Sequence, residues 1–168
     1  SDIPITFLCS AIYLAISYYI TNQPFERIVP YFVVGILTSF TAQGFGLFAS
    51  SIFNLQGTLT FGAIFLPLYA IFSGIFVLIK DTPSMFHWIF QISFIKHSLD
   101  ASTTAVLGWN RGKMHCSEDY CHYKIPKKFL NTLDMDENFL KSIWALIFFF
   151  VTFRLIAFII MRNRLKNS

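Results

Sequence analysis

Ile28-Val29-Pro30-Tyr31 opens, and Val77-Leu78-Ile79 closes, a stretch of 52 residues without one charged side chain, and near its middle stands Asn54-Leu55-Gln56-Gly57. As one helix the stretch would be roughly 78 Å long at ~1.5 Å per residue. A bilayer core is about 30 Å thick and takes about 20 residues per crossing. The stretch must therefore cross, turn and cross back. The polar tetrapeptide with its glycine is the turn. The chain is read as a polytopic membrane protein.

Composition agrees. Of the 168 residues, 55% are hydrophobic and 13% are charged. Ordinary soluble domains carry about 25% charged residues. The 21 phenylalanines suit helix-packing and lipid-facing surfaces. The net charge of +4 is small and the basic residues are dispersed, which excludes a nucleic-acid-binding patch. Ser1 opens the chain, and a hydrophobic span follows without the basic leader of a signal peptide. One domain of a longer protein is the expected reading.

The fold class is all-α integral membrane, with four spans at about 3–20, 28–53, 58–79 and 142–161. Tyr18 and Tyr19 close the first span as interfacial aromatics do. The tail Arg162-Asn163-Arg164-Leu165-Lys166 carries three cations and no acid, which places the C-terminus in the cytoplasm. Four crossings then put Ser1 inside as well, and the segment 80–141 outside. Within that segment Met85 to Ile95 and Leu99 to Leu107 are apolar but too short to cross, so re-entrant or interfacial helices are expected. Pro67 should kink the third span or loosen its backbone. The small residues Gly35, Ser39, Ala42, Gly44, Gly46, Ala49 and Ser50 are expected to let helices approach closely.

Few residues offer chemistry. His115-Cys116-Ser117-Glu118-Asp119-Tyr120-Cys121-His122 admits a zinc site or a disulfide. The outside placement favours a Cys116–Cys121 disulfide, because oxidising compartments preserve disulfides. An intermolecular bridge is a third possibility, and no metal is assigned. Cys9, inside the first span, is expected to be a buried thiol. Arg154 stands mid-span, where a charge costs about 2.5–3.5 kcal/mol on insertion scales. Two readings stay open: a functional charge, or a stem bent toward the cytoplasmic interface. The histidines His87, His97, His115 and His122 all fall in the external segment, without a nucleophile motif to frame them. Arg111-Gly112-Lys113-Met114 is no phosphate loop, since position 107 is Leu and position 114 is Met. No catalytic and no cofactor-binding residue is assigned. An intramembrane enzyme is disfavoured, as the spans hold no paired acids, metal ligands or Ser/Lys motif.

Ala70-Ile71-Phe72-Ser73-Gly74-Ile75-Phe76-Val77 resembles the late penultimate span of the White-type half transporters, subfamily G of the ABC transporters. Ala42-Gln43-Gly44-Phe45-Gly46-Leu47 is similar to that family's fourth helix. Ile92-Ser93-Phe94-Ile95-Lys96-His97 with Asp100 is similar to its re-entrant external stretch, and Cys116 and Cys121 stand where it has loop cysteines. Arg154-Leu155-Ile156-Ala157 followed by Arg162 resembles the last helix of the sterol- and lipid-exporting branch. The resemblance implies the third to sixth of six helices. It implies ATP and Mg²⁺ at a nucleotide-binding domain outside this chain, and a homo- or heterodimer of half transporters in the plasma membrane. Ala63, Pro67, Ala70 and Ile71 would line the substrate cavity, and Ile75 and Phe76 would form a hydrophobic plug. The cargo would be a sterol or other lipid. Pigment precursors or steroid hormones are the alternative cargo, and a non-transporting membrane scaffold is the alternative function.

Overall fold

A computed structural model describes residues 2–108 other than 22, 79 and 81, together with 126–133 and 138–166. The order is α1 (Asp2–Ile20), α2 (Ile28–Ile52), α3 (Leu55–Ile71), α4 (His87–Ile92), α5 (Phe94–Leu107), α6 (Pro126–Thr132) and α7 (Phe139–Lys166). The described residues contain no strand. Segments 3–20, 25–52 and 139–166 are long and apolar enough to cross a membrane, while α3 is a shorter apolar helix.

The third expected span therefore differs from its helix. α3 begins at Leu55 and ends at Ile71, where 58–79 was expected. Apolar residues continue beyond Ile71, but the backbone does not stay helical. Ser73 N donates to Ala70 O at 3.2 Å, which tightens the last turn, and Gly74 has φ +94. That left-handed conformation is open to glycine and costly for residues with a Cβ. At its other end α3 starts after Asn54, so the turn is only Phe53-Asn54, both extended, and Leu55, Gln56 and Gly57 of the expected turn are helical.

α2 is the central helix. It packs on α1, α3, α5 and α7. Its hydroxyls are tolerated because they bond back to its own carbonyls: Thr38 to Val34 at 2.8 Å, Ser39 to Gly35 at 3.0 Å, Thr41 to Leu37 at 2.8 Å. In an apolar medium each such bond removes an unsatisfied donor. Phe45 is the hub of the core. Its ring lies 5.8 Å from Phe61 and 5.9 Å from Tyr69 on α3, 5.9 Å from Phe94 on α5 and 5.6 Å from Phe153 on α7. Phe61 is stacked on it, Phe94 is tilted, and Tyr69 and Phe153 meet it edge-on, arrangements that aromatic quadrupoles favour.

The small residues divide. At Gly44 an added Cβ would lie 3.5 Å from Phe153 Cβ, and at Gly35 it would meet Leu14 Cδ2 at 2.5 Å, so both mark close helix approach. Ala49 is buried. Gly46 has nothing within 4 Å, and Ala42 and Ser50 are exposed. For those three the packing expectation is corrected: they face away from the helices that α2 touches. Cys9 is corrected in the same way. It is exposed, because α1 buries only the stripe of Leu14 and Tyr18 against α2. At 100° per residue Cys9 points well away from that stripe.

Candidate functional site

The four proposed cavity residues share one face of α3. Positions 63, 67, 70 and 71 follow the i, i+4, i+7, i+8 spacing of a helical stripe. Ala63, Pro67 and Ile71 are exposed and Ala70 is half-buried. No residue of α3 is buried, although the helix touches both α2 and α5. Pro67 has no N–H, so it cannot donate to the Ala63 carbonyl. The stripe thus combines apolar side chains with a backbone acceptor. A cleft of about 660 Å³ opens one to two turns nearer the Asn54 turn, lined by Phe53, Gln56, Thr60, Phe61, Ile64 and Phe65 among others. It takes in none of the four stripe residues. A second cleft of about 480 Å³ lies between α1 and α2 at the opposite end, by Tyr18, Gln23 and Phe32. Ile75 and Phe76 stand in the turn after α3, and Phe76 is 75% exposed.

α5 is wedged beside this turn and held at both ends. Ser93 caps it, its hydroxyl accepting from Lys96 N at 3.4 Å and donating to Tyr69 O at 3.2 Å. Tyr69 O is one of the last four carbonyls of α3, which lack intrahelical donors. One hydroxyl therefore ties the end of α3 to the start of α5. At the far end Arg27 Nη1 donates to the carbonyls of Gly108 at 2.7 Å, Ala105 at 3.3 Å and Val106 at 3.4 Å. A cation there also meets the negative end of the helix dipole. Thr38 and Ser98 hydroxyls meet at 2.7 Å and join α2 to the middle of α5.

Within α5, Lys96 Nζ donates to Asp100 Oδ2 at 2.7 Å, and both residues are buried, Asp100 to 2% exposure. The sequence places both in the stretch similar to the family's re-entrant external segment but does not pair them. Their i, i+4 spacing was the available signal. His97 lies on the next face, its Nε2 3.1 Å from Gln91 O and its ring 6.0 Å from Phe149. Burial lowers its pKa below the usual histidine value, with Lys96 and Lys141 acting in the same direction and the Gln91 carbonyl and Asp100 against it. Among the described residues no group of three or more His, Cys, Asp or Glu is placed to hold a metal ion. The Cys116–Cys121 pairing lies outside the described residues.

Arg154 is not extended along α7 toward the basic tail. Its Nη2 crosses to Gln43 Oε1 on α2 at 2.8 Å, and its guanidinium carbon sits 5.5 Å from the Phe150 ring centroid. Gln43 Nε2 in turn donates to Thr6 Oγ1 on α1 at 3.0 Å. A polar chain therefore links three helices inside the apolar body. Gln43 was read only as part of a small-residue motif. Its amide offers an oxygen to the guanidinium and an N–H to Thr6 at the same time.

Comparison with known proteins agrees with this architecture. Residues 1–107 match the membrane domain described as ABC-2 type transporter. Over 180 aligned positions the chain is 24% identical to ABC transporter G family member 1 of Dictyostelium discoideum, covering 99% of this chain and 22% of that protein. The chain thus spans about a fifth of that relative's length. With more than half of its residues matched and an all-helical, membrane-crossing fold to carry them, the chain belongs to the ABC-2 type transporter membrane-domain family.

Proposed function

We infer that this chain forms part of the translocation path of an ATP-driven exporter, and that its cargo is apolar, a sterol or another lipid. The supporting observation is α3. It is apolar from Phe61 to Ile71 apart from the Tyr69 hydroxyl, it buries no residue in the bundle, and no ionisable side chain other than tyrosine occurs from Leu55 to Leu78. A charged solute would call for ionisable lining groups. A lipid needs apolar walls and a few polar contacts, and the Ala63 carbonyl beside Pro67 is one.

On this reading α3 faces the same helix of a second half transporter, identical or different, across a central cavity. Ala63, Pro67, Ala70 and Ile71 line it. Ile75 and Phe76 form the plug between the cavity and the external exit, and the short helices α4 and α5 dip into the outer leaflet above it. ATP and Mg²⁺ act at nucleotide-binding domains outside this chain, and their closure switches the path from inward-open to outward-open. Both ends of the chain are cytoplasmic, and the membrane is the plasma membrane.

The test is Phe76→Ala in the intact transporter, reconstituted in vesicles. Loss of the plug should raise basal ATP turnover or cargo leak. Turnover and leak equal to wild type would reject the plug.

A further inference from the structure

Among the described residues, the partners of the Arg154 guanidinium in the apolar body are neutral. The Gln43 amide satisfies one of its N–H groups, and the Phe150 ring lies beside it. Its Nε is buried and has no hydrogen-bond partner. No Asp or Glu occurs in residues 3–20, 28–71 or 139–161. An amide bond positions the guanidinium but does not neutralise it. Charges inside membrane segments are costly and are as a rule paired. The side chain is also committed to its place. It crosses to α2 rather than running toward the interface, and the absence of a side chain at Gly44 leaves room for its stem, 3.9 Å from where a Cβ would be. Arg154 as a residue is only partly buried, at the edge of the described bundle.

We propose that the crossing of α1, α2 and α7 at Thr6, Gln43 and Arg154 is a docking point for a carboxylate carried by a further membrane-spanning helix. Charge complementarity carries the argument. The other anion at hand, a lipid phosphate, belongs to the membrane interface. Arg162 lies eight residues further along α7, roughly 12 Å nearer that interface, and with Arg164 and Lys166 it would take such a phosphate first. The proposal concerns assembly of the helices and stands whatever the cargo is.

The sign of a stability change tests it. Arg154→Met is compared with wild type in the intact protein, in nanodiscs of pure phosphatidylcholine and in nanodiscs containing phosphatidylglycerol. If a helix carboxylate pairs with Arg154, the substitution orphans that carboxylate. The Tm then falls by about 5 °C or more in both lipids, and the deficit shrinks at acid pH as the orphan takes a proton. An unchanged or raised Tm would show an unpaired cation whose removal brings relief, and would overturn the proposal. A deficit present only with phosphatidylglycerol would assign the anion to lipid and overturn it equally. A photo-crosslinking phenylalanine analogue at Phe158, exposed one turn below Arg154, keeps the question answerable if Arg154→Met does not fold. The proposal requires the crosslinked peptide to be an apolar segment, other than α1 with its Asp2, that contains Asp or Glu. Crosslinks to lipid alone, or to a segment without an acid, would overturn it.

Discussion

Breaking the Lys96–Asp100 pair should cost far more than an exposed i, i+4 pair is worth. The two groups are 2.7 Å apart, with side-chain exposures of 9% and 2%. At a helix surface an i, i+4 pair is worth about 0.2–0.5 kcal/mol, and the order with the base first is the weaker one. Burial changes the scale. Replacing Asp100 takes the carboxylate away from a buried ammonium, and breaking a buried pair in this way costs about 3–5 kcal/mol. Replacing both with apolar residues of similar size is often close to neutral. Asp100→Asn should therefore destabilise by about 3 kcal/mol or more, and Lys96→Met with Asp100→Leu should cost clearly less than the sum of its single losses. The assay is a double-mutant cycle on denaturant unfolding in one fixed detergent, followed by Trp fluorescence. Single losses below about 1 kcal/mol that simply add would refute the reasoning, because they are the signature of a solvent-screened pair.

Arg27→Met should free the carbonyl end of α5 and cost about 1–2 kcal/mol; hydrogen exchange should rise at residues 104–108 and stay unchanged in α7. His97 is held below its ordinary pKa by burial, so the unfolded chain binds its proton more readily than the folded one. Stability should be full above about pH 6.5 and decline as the pH falls below it toward the lower folded pKa; a unfolding midpoint measured against pH should lose that component in His97→Phe. Non-reducing peptide mapping should link Cys116 to Cys121, whereas two free thiols or a bound stoichiometric metal would reject the disulfide.

The membrane class was legible because it rests on lengths. Fifty-two uncharged residues cannot lie in one crossing, and the helix breaks at Phe53-Asn54, with Gln56 and Gly57 of the expected turn already inside α3. The end of α3 was less legible. Hydropathy continues through Phe72 to Ile79, and only the Ser73-Gly74 pair records that the backbone turns there. The contents of the polar contacts were the least legible. Arg154 was conspicuous as a lone mid-span charge, but its partner Gln43 is 111 residues away and stands out only once α2 and α7 are packed together. Arg27 was equally silent, since its carbonyl partners lie about 80 residues along the chain and carry no side-chain signal. The stripe at Ala63, Pro67, Ala70 and Ile71 came from a family pattern. The structure puts all four on one face of a helix that buries nothing, which is a geometric fact that hydropathy alone does not contain.

The most direct measurement is movement of labelled sterol by the intact transporter, reconstituted in vesicles with an external acceptor. The account predicts ATP-dependent release that excess unlabelled sterol suppresses, and that Ala63→Trp blocks without loss of the folded protein. Sterol movement indifferent to ATP, or ATP-dependent transport competed by pigment precursors and not by sterol, would contradict it.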